Sequence, residues 1–455
     1  MEEYHVENFG CRASQADGEA IGLELGSRGL AQAASAETAD VVVVNTCSVT
    51  AQADRTARAF LRRLQRRNPR ARVLVTGCYA QRAPEEVAAL PGVQAVVGNS
   101  HKGMVAQLAA GGAFVPLRSL QGGERPWAGP VVYVDEVFAH SALAAACWTG
   151  TRGHTRPNLK VQDGCGNRCS FCVIPVTRGH SRSMPMEDCL RSVESFASSG
   201  GVELVLSGIN LGRWGRDLSP ARTLEQLVAA ILRQTSLPRL RLSSVEPMDW
   251  TAELLSLFSN EAGEAGGRLA RHAHLPLQSG ADATLRAMHR RYRPWHYAEK
   301  LAAIRKCMPD AAIGADVMVG FPGESDALFE ESYAFIAEQP FTYLHLFPFS
   351  PRPGTPAGEL HRRDAPPPGA VAERMARLRG LIAAKNLAFR ERFVGGRLPA
   401  VTLETAEEMR GQGRTRALTD NFIEVDLEAT IPANRNIQAG ITEVRSEGLA
   451  GRVAA

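Results

Sequence analysis

The sequence predicts an α/β protein made of three folded parts, and three patterns predict it. Apolar segments of strand length alternate with helical segments up to about residue 110, which is typical of a doubly wound parallel sheet. Six strand-then-helix units follow one another from residue 158, as in a partial (β/α)6 barrel. Short strands follow Gly395 and Gly396, as in a small β-barrel. We place the parts at 1–110, 156–390 and 391–455, with a linker at 111–155.

Bulk properties limit the class of protein. The chain has 455 residues, of which 44% are hydrophobic and 22% charged, as in a globular protein with large cores. The first residues, MEEYHVENFGC, lack the pattern of a signal peptide, and no stretch approaches the ~18 apolar residues of a membrane span. We therefore expect a cytoplasmic protein whose nine cysteines are metal ligands or core residues. The net charge of +4 permits a nucleic-acid partner without predicting one.

The first part carries a cysteine after each of its predicted strands. The strands are expected at 4–9, 40–44 and 72–76, and helices at 15–28 and 54–67. Since the carboxyl ends of parallel strands share one edge of a sheet, the cysteines should gather there. Three thiols at one edge indicate a metal site with one open position for a sulfur ligand from outside the protein. The cysteines are Cys11, Cys47 and Cys78.

One face of the helix predicted at 54–67 is strongly basic. Its arginines follow steps of three and four residues, which places them on one side of the helix. A solvated face usually mixes charges of both signs, but Asp54 is the one acidic residue in this helix. We interpret the face as a nucleic-acid contact, with an ordinary solvated face as the alternative. The arginines are Arg55, Arg58, Arg62 and Arg66.

The segment 111–155 is less informative. GGERPWAGP at 122–130 is typical of a turn-rich linker, and 131–134 is a candidate strand. The small apolar run 141–148, which includes Cys147, has no functional interpretation.

A second set of cysteines follows the first strand of the second part. Cys165, Cys169 and Cys172 stand in a C-x3-C-x2-C spacing, so three thiolates can converge on one metal centre. A structural zinc normally takes four protein ligands, as does a ferredoxin cluster, so three ligands would leave one metal position open. The alternatives are a zinc knuckle and three unrelated buried thiols.

The six strands of the second part are predicted at 159–162, 202–206, 239–243, 274–277, 313–319 and 343–347.

With Phe171 before its last cysteine, this array resembles that of the radical S-adenosylmethionine enzymes. The resemblance implies a 4Fe-4S cluster whose open iron binds S-adenosylmethionine, and whose electron cleaves it to a 5′-deoxyadenosyl radical. Glycines and polar residues end the other strands at the same edge of the barrel. Among them we select Gly208, Glu246 and Gln278, together with Phe171, as S-adenosylmethionine contacts.

The third part is predicted to be a small β-barrel with strands at 398–404, 415–425 and 441–447. This shape is commonly used to hold RNA. A barrel that only caps the protein is the alternative.

Together the motifs resemble one family, the tRNA methylthiotransferases of the radical S-adenosylmethionine superfamily. The resemblance runs from GCR, NTCSVT and TGCYAQR through VQDGCGNRCSFCVIPVTRG to a tail similar to a TRAM domain. Within the family, TGCYAQR, HLPLQSG and FPFSPRPGTPA most resemble the branch acting on N6-threonylcarbamoyladenosine beside the tRNA anticodon.

This resemblance implies two 4Fe-4S clusters and the insertion of a methylthio group at carbon 2 of the modified adenine. That carbon has neither an acidic proton nor a leaving group, so a cofactor-derived radical is required. The implied partners are the tRNA anticodon loop and a reductant such as flavodoxin or ferredoxin. No oligomeric state is implied, and a monomer is plausible. The implied cluster ligands are Cys11, Cys47 and Cys78, and Cys165, Cys169 and Cys172, which leaves Cys147, Cys189 and Cys307 as ordinary thiols.

The chain departs from the family pattern in places. Ser14 stands where asparagine is usual, Phe422 replaces a common tyrosine, and 139–149 has no counterpart. A threonylcarbamoyl carboxylate would need a cation or paired N–H donors in its pocket. Arg178 and Arg182, just after the cysteine array, are candidates, although they could equally hold tRNA phosphate or support the loop.

Three alternatives remain open. Two are enzymes of the same family, which methylthiolate isopentenyladenosine in tRNA or an aspartate in a ribosomal protein. The third is a non-catalytic RNA-binding protein with structural metal sites. Zinc with complete protein ligation would favour the last, whereas cleavage of S-adenosylmethionine would favour an enzyme.

Overall fold

The chain folds as two α/β domains and a closed β-barrel in a computed structural model, which describes residues 1–111, 130–136, 138, 143, 155–264 and 267–454. The turn-rich stretch 122–129 and most of the run 141–148, including Cys147, lie outside the described residues.

In the described ranges, no helix has both the length and the apolar character needed to cross a membrane.

The amino-terminal domain is a six-stranded, fully parallel sheet with helices on both faces. Its elements are β1 (Glu3–Asn8), α1 (Arg12–Ser27), β2 (Ala31–Gln32), β3 (Val41–Thr46), α2 (Ala51–Arg67), β4 (Arg72–Gly77), α3 (Cys78–Arg82), α4 (Pro84–Ala88), β5 (Val93–Gly98), a 3-10 helix (Asn99–Met104), α5 (Val105–Ala109) and β6 (Val131–Tyr133). The strand order is β2-β1-β3-β4-β5-β6. The predicted doubly wound sheet is confirmed, and the candidate strand after the linker is its edge strand.

The four valines of β3 show why this sheet is covered on both sides. Val42 and Val44 pack with α2 in one core, and Val41 and Val43 pack with α1 and α5 in the other. All four are completely buried. An unbroken apolar strand is what a parallel sheet between two helical layers requires.

The central domain is an open barrel of six parallel strands. Its elements are β7 (Asn158–Asp163), α6 (Ile174–Arg178), β8 (Arg182–Ser183), α7 (Met186–Ser198), β9 (Glu203–Gly208), α8 (Leu224–Gln234), β10 (Arg239–Leu242), α9 (Ala252–Glu264), β11 (His272–Gln278), α10 (Asp282–Ala287), α11 (Pro294–Cys307), β12 (Ala312–Val319), α12 (Asp326–Glu338), β13 (Tyr343–Pro348), α13 (Pro356–His361) and α14 (Pro368–Glu391). The sheets β10-β9-β7-β8 and β11-β12-β13 meet through the bridges Leu240–Leu269 and Ser244–His274. Among the described residues β7 and β13 do not pair, so the barrel is open between them, and α1 of the first domain packs along β7.

The carboxyl-terminal part is a closed five-stranded barrel in the order β14-β15-β16-β18-β17, with β14 at Arg397–Thr402, α15 at Glu407–Gly411, β15 at Thr415–Thr419, β16 at Glu424–Leu427, β17 at Asn436–Val444 and β18 at Leu449–Val453. The single strand predicted at 415–425 is wrong, because a turn separates β15 from β16. Phe422 lies in that turn at φ +62°. The centre of its ring lies 4.5 Å from that of His272 at the start of β11, so the turn covers the amino-terminal end of the larger barrel.

Candidate active site

The three cysteines of the amino-terminal domain lie at the carboxyl ends of three adjacent parallel strands. Cys11 caps α1 after β1, Cys47 follows β3, and Cys78 begins α3 directly after β4. Cys47 and Cys78 are buried, while Cys11 is exposed. Gly10, at φ +117°, lets the loops approach closely, because a Cβ there would lie 2.7 Å from the sulfur of Cys47. The structure therefore brings these cysteines to one edge of the sheet.

The thiols of Cys11 and Cys47 are neighbours. A hydrogen bond between them lowers the pKa of Cys11 well below its usual value and raises the pKa of Cys47. The guanidinium of Arg178 adds to the lowering at Cys11. One of the two sulfurs is thus poised as a thiolate, the form that ligates a metal.

The second set of cysteines lies in the loop between β7 and α6, where N–H donors surround the sulfurs. The sulfurs of Cys165 and Cys172 each accept a hydrogen bond from the backbone N–H two residues further along, at 3.4 and 3.5 Å. Asn210 Nδ2 donates to Cys165 at 3.7 Å, and Arg290 Nη1 donates to Cys169 at 3.3 Å. Hydrogen bonds to sulfur stabilise thiolates and tune an iron–sulfur cluster, so this donor set fits one.

Burial opposes ionisation of two of these thiols when no metal is bound. It raises the pKa of Cys172 to about 12, and it raises the pKa of Cys169 despite the nearby charge of Arg290. A metal deprotonates a coordinating thiol outright, so a site built this way depends on its metal to hold the thiolates.

In neither cysteine set do all three sulfurs lie as close together as the ligands of a single zinc ion. A tetrahedral zinc with Zn–S bonds of about 2.3 Å holds its sulfurs roughly 3.8 Å apart. Across the described part of the chain, the only three potential ligand atoms within 4.8 Å of one another belong to His274, Asp316 and His345. Neither cysteine set therefore brings all three of its sulfurs to the spacing of a zinc site.

Four buried polar atoms along the same edge of the barrel have no hydrogen-bond partner among the described residues. They are Ser207 Oγ, Asn210 Oδ1, Ser243 Oγ and Gln278 Oε1. Each such atom costs about 1–3 kcal/mol unless something satisfies it. Gln278 also has a φ of +68°, a strained conformation for a residue other than glycine. This row fits a polar ligand bound across the strand ends.

The other selected S-adenosylmethionine contacts lie on the same edge. Glu246 accepts two hydrogen bonds from Arg290 Nη2, at 2.8 and 2.6 Å, which ties it to the cysteine loop. Gly208 lies against Gln162, because a Cβ at 208 would be 3.0 Å from its Oε1. Phe171 packs on an apolar cluster, whose buried members are Met288, Met318, Phe321 and Ala357.

Two protein-family models match this chain. The model described as uncharacterized protein family UPF0004 matches residues 3–98, and the radical SAM superfamily matches 159–336. The threonylcarbamoyladenosine tRNA methylthiotransferase MtaB of Bacillus subtilis is 32% identical over 422 residues, which cover 93% of this chain and 89% of the relative. MtaB of Aquifex aeolicus is 35% identical, with 93% and 96% covered. The tRNA-2-methylthio-N(6)-dimethylallyladenosine synthase of Acidothermus cellulolyticus is 30% identical, with 97% and 83% covered.

The chain belongs to the radical S-adenosylmethionine tRNA methylthiotransferases. It is therefore a radical enzyme of the class that uses a 4Fe-4S cluster and S-adenosylmethionine. A solved structure agrees in fold: the radical S-adenosylmethionine methyltransferase TsrM from Kitasatospora setae has a TM-score of 0.56 at 14% identity, over 79% of this chain and 75% of that chain.

A buried ion network joins the two cysteine sites of this methylthiotransferase. Arg178 Nη1 donates to both carboxylate oxygens of Asp163, at 2.9 and 3.1 Å, and Nη2 donates to Asp17 at 3.0 Å. Lys160 bridges the same two carboxylates, and Lys102 also donates to Asp17. The network therefore ties α1 of the first domain to β7 and α6 of the barrel.

The network also faces the first-domain cysteines. Arg178 interacts electrostatically with Cys78 and Cys11, and the three cations of the network outnumber its two carboxylates. Asn99 Nδ2 donates to the carbonyl of Thr177 at 2.7 Å and to the sulfur of Cys78 at 3.5 Å. The surplus positive charge suits anionic thiolates at that sheet edge.

The network corrects one hypothesis. Arg178 is completely buried and both its Nη atoms bind carboxylates, so the idea that it holds a substrate carboxylate is wrong. Arg182 donates to the carbonyls of Arg178 and His180, which is the loop-supporting role. The partners Asp17 and Asp163 escaped sequence analysis, because residue 17 is 161 positions from Arg178 and no spacing rule connects them.

The two histidines and the aspartate form what we call the lumen cluster: His274 on β11, Asp316 on β12 and His345 on β13. Asp316 Oδ1 lies 3.2 Å from His345 Nδ1 and 3.5 Å from His274 Nε2. His274 Nδ1 is 3.0 Å from Ser244 Oγ. Burial lowers the pKa of His274 to about 4, so this ring is neutral near pH 7. The buried Nε2 of His274 has no hydrogen-bond partner among the described residues, so the lumen cluster can still accept a ligand.

Helix α2 separates its charges between two faces. Asp54 is buried and accepts hydrogen bonds from Arg82 at 3.0 Å and from Arg352 of the barrel domain at 2.9 Å, so it does not oppose the basic face. Arg58 differs from the others, because its Nη1 donates to the hydroxyl of Tyr79. The exposed arginines of α2 and the following turn are Arg55, Arg62, Arg63, Arg66, Arg67 and Arg70.

Proposed function

We propose that this enzyme inserts a methylthio group at carbon 2 of N6-threonylcarbamoyladenosine beside the anticodon of tRNA. The observation that carries the proposal is the pair of three-cysteine sites, which Asn99 and Arg178 connect across the domain boundary. Two cysteine sites suit a reaction that needs a radical at one and a sulfur donor at the other. The relatives from Bacillus subtilis and Aquifex aeolicus, named for threonylcarbamoyladenosine, support this choice of base.

Each site would hold one 4Fe-4S cluster with an open iron, because each offers three cysteines, and a cluster ligated by protein alone takes four. When bound, the cluster of the second site and S-adenosylmethionine supply the radical that removes hydrogen from carbon 2. The protein positions the base and excludes competing reactions. We assign sulfur storage to the domain at 1–110, radical generation to 156–390 and tRNA contact to 391–455. The proposed ligands are Cys11, Cys47 and Cys78 at the first site, and Cys165, Cys169 and Cys172 at the second.

We assign S-adenosylmethionine to the strand ends beside the second site. Gln278 offers an unpartnered buried oxygen to a donor of the cofactor. Gly208 would contact the cofactor through its backbone, since Gln162 fills the space beside its Cα, and Phe171 provides apolar surface at the array. Glu246 fixes Arg290, which donates to the sulfur of Cys169, so its effect on the cofactor runs through the array.

The anticodon loop suits this site, because unstacked bases can be splayed into a protein pocket. The exposed arginines of α2 would hold its phosphates, and the carboxyl-terminal barrel would hold neighbouring RNA. The partly exposed second cysteine array is where a reductant such as flavodoxin or ferredoxin would deliver its electron. We propose that the enzyme acts in the cytoplasm.

The test is mass spectrometry of tRNA nucleosides from a strain lacking this gene. The 2-methylthio form of threonylcarbamoyladenosine should disappear and its unthiolated precursor accumulate, while isopentenyladenosine derivatives stay unchanged. Restoring the gene should reverse both changes. Loss of methylthio-isopentenyladenosine instead would assign the enzyme to the sister substrate, and unchanged tRNA together with stoichiometric zinc would favour a non-catalytic RNA-binding protein.

A further inference from the structure

Arg12 follows Cys11 directly and extends from the start of α1 towards the open side of the barrel. Its guanidinium carbon lies 5.9 Å from the centre of the Phe422 ring, which is 5.4 Å from the ring of Tyr343. Its charge interacts with Tyr343 and with Asp316 of the lumen cluster. Arg12 therefore stands between the first cysteine site and the barrel interior.

No residue that the structure describes forms a hydrogen bond or ion pair with the guanidinium of Arg12, although the side chain is partly buried. The other buried arginines nearby behave differently. Arg178 binds Asp163, Arg241 binds Glu203 at 2.7 Å, and Arg290 binds Glu246 at 2.6 Å. Each of these three guanidinium groups has a carboxylate partner and that of Arg12 has none, which indicates that Arg12 is available to an anionic ligand.

The surroundings of Arg12 define the chemistry of that ligand. Tyr343 lies 5.4 Å from His345 and 5.9 Å from His274, ring centre to ring centre, so the lumen cluster continues the same wall. His345 is half exposed, and Asp316 can accept hydrogen bonds from a hydroxyl or an N–H. A cation beside donors and acceptors fits a group with a carboxylate and a hydroxyl. An isopentenyl group would leave the cation unpaired.

We propose that Arg12 pairs with the carboxylate of the threonylcarbamoyl group, and that the lumen cluster contacts its hydroxyl and N–H groups. This inference rests on the proposed function and deepens it. Because Arg12 adjoins Cys11 in the chain, the same contact would hold the modified base beside the first cysteine site. Arg12 thereby becomes a specificity-determining residue.

A divalent metal at the lumen cluster is the competing use of the same residues. The nearby guanidinium opposes it, since like charges repel. His345 Nδ1 already shares a hydrogen bond with Asp316, whereas His274 Nε2 has no hydrogen-bond partner among the described residues and is available to a hydroxyl or N–H of the ligand. The carboxylate assignment therefore fits the charges better.

The test uses the reconstituted holoenzyme and two synthetic anticodon stem-loops, one with threonylcarbamoyladenosine and one with a carboxamide in place of its carboxylate. Without reductant, fluorescence anisotropy gives the Kd of each. The wild-type enzyme should prefer the carboxylate loop about tenfold or more, as for a charge-assisted hydrogen bond. Arg12→Gln should remove the preference, and Arg12→Lys should keep part of it.

The control is Arg66→Gln on the exposed face of α2, which should weaken binding of both loops equally. An Arg12→Gln enzyme with wild-type iron content and an unchanged preference would overturn the inference. Two other results would also overturn it. In one, Arg12→Gln and Arg12→Lys lose the preference for the carboxylate loop equally and both also lose iron. In the other, adding EDTA abolishes the preference of the wild-type enzyme. A separate assay with reductant tests the proposed function. If the wild-type enzyme converts an isopentenyladenosine loop and not the carboxylate loop, the proposed function is wrong. If it converts the carboxylate loop, the ratio of the two Kd values in each variant tests the role of Arg12 alone.

Discussion

Arg178 keeps its positive charge in a completely buried position because two carboxylates surround it. Burial alone would raise the pKa of Asp17 and Asp163, but the cations Lys102, Lys160 and Arg178 hold both well below the usual value. Removing one member of such a set leaves a buried charge uncompensated, at a cost of about 3–5 kcal/mol. Substitutions of Arg178 will therefore report on the docking of the two domains, not on substrate binding.

His274 gives a prediction on pH at the same scale. An unfolded histidine has a pKa of about 6.5, and burial lowers the pKa of folded His274 to about 4. Between these values the unfolded state binds more protons, so the stabilisation from His274 is complete above about pH 6.5 and is lost as the pH falls towards 4. This residue should lower the free energy of unfolding by about 2 kcal/mol between pH 7.5 and 5.

Anaerobic urea unfolding of the wild-type protein and of His274→Gln at these two pH values measures this contribution. Between pH 7.5 and 5, the free energy of unfolding of His274→Gln should fall by about 2 kcal/mol less than that of the wild-type protein. His180→Gln, which replaces an exposed histidine, is the control and should match the wild type. Equal pH dependence in His274→Gln and the wild type would contradict the assignment.

Among the elements, α2 connects docking with RNA binding. Its buried face is fixed to the barrel domain, since Arg352 donates to Asp54 and Ser350 Oγ accepts from the N–H of Ala51. The opposite face carries exposed arginines, of which Arg67 forms an ion pair with Glu37 at 3.4 Å. A rigidly held basic face can read the spacing of phosphates.

The prediction for α2 is a weaker affinity for tRNA when its exposed charges are reversed. Arg62→Glu with Arg66→Glu should raise the Kd for tRNA on the order of tenfold, and should flatten the slope of log K against log salt by about 0.7 for each phosphate that the helix no longer binds. Cleavage of S-adenosylmethionine without tRNA should persist. Filter binding from low to moderate salt measures both quantities.

The matched control reverses two exposed arginines on outer helices of the barrel, Arg191→Glu on α7 and Arg233→Glu on α8. This double variant has the same change in net charge and should bind tRNA nearly as the wild type does. If both double variants weaken binding equally, net charge and not the α2 face governs affinity.

The sequence predicted an element well when the pattern that indicates it lies within that element. The β3 valines and the arginine steps of α2 lie within single elements, and both elements were predicted. The edge strand β2 spans two residues and carries no period, so it was missed. The strands β15 and β16 were merged, because their turn holds Phe422, an apolar residue at positive φ where glycine or asparagine is usual.

The candidate site shows the same limit. Cysteine spacing predicted both thiol sets, since the three cysteines of the second array are close in sequence and those of the first each follow a strand. The contacts of Arg178 with Asp17 and of Asn99 with Thr177 join different domains. They arise from tertiary docking, which no local pattern encodes, and for that reason Arg178 was interpreted as available to substrate.

At the scale of the whole molecule, the three parts enclose the barrel interior together. The first domain places Arg12 at its open side, and the third part covers its amino-terminal end. Arg241 inside the barrel donates to the carbonyls of Thr419 and Asp420 in the turn of the small barrel, at 3.1 Å each. Asp420 also pairs with Arg271 at 2.6 Å. Among the described residues the interior is thus covered at its amino-terminal end, which leaves the carboxyl-terminal edge with the second cysteine array and the opening between β7 and β13 as routes for a base.

That arrangement predicts two independent clusters in one molecule. Anaerobically prepared protein should contain about eight irons per chain if both are four-iron clusters. Replacing all three cysteines of the second array by alanine should leave about half of the iron, because the first site is built on a separate sheet whose ligands do not depend on that loop.

The double variant Cys189→Ala with Cys307→Ala is the control and should keep all the iron, since neither thiol lies in a three-cysteine site. Iron and zinc are measured together by plasma mass spectrometry, with Mössbauer spectroscopy for cluster type. Stoichiometric zinc, or a triple variant that retains every iron, would show that the second array holds no cluster. The protein would then have no cluster to generate the radical.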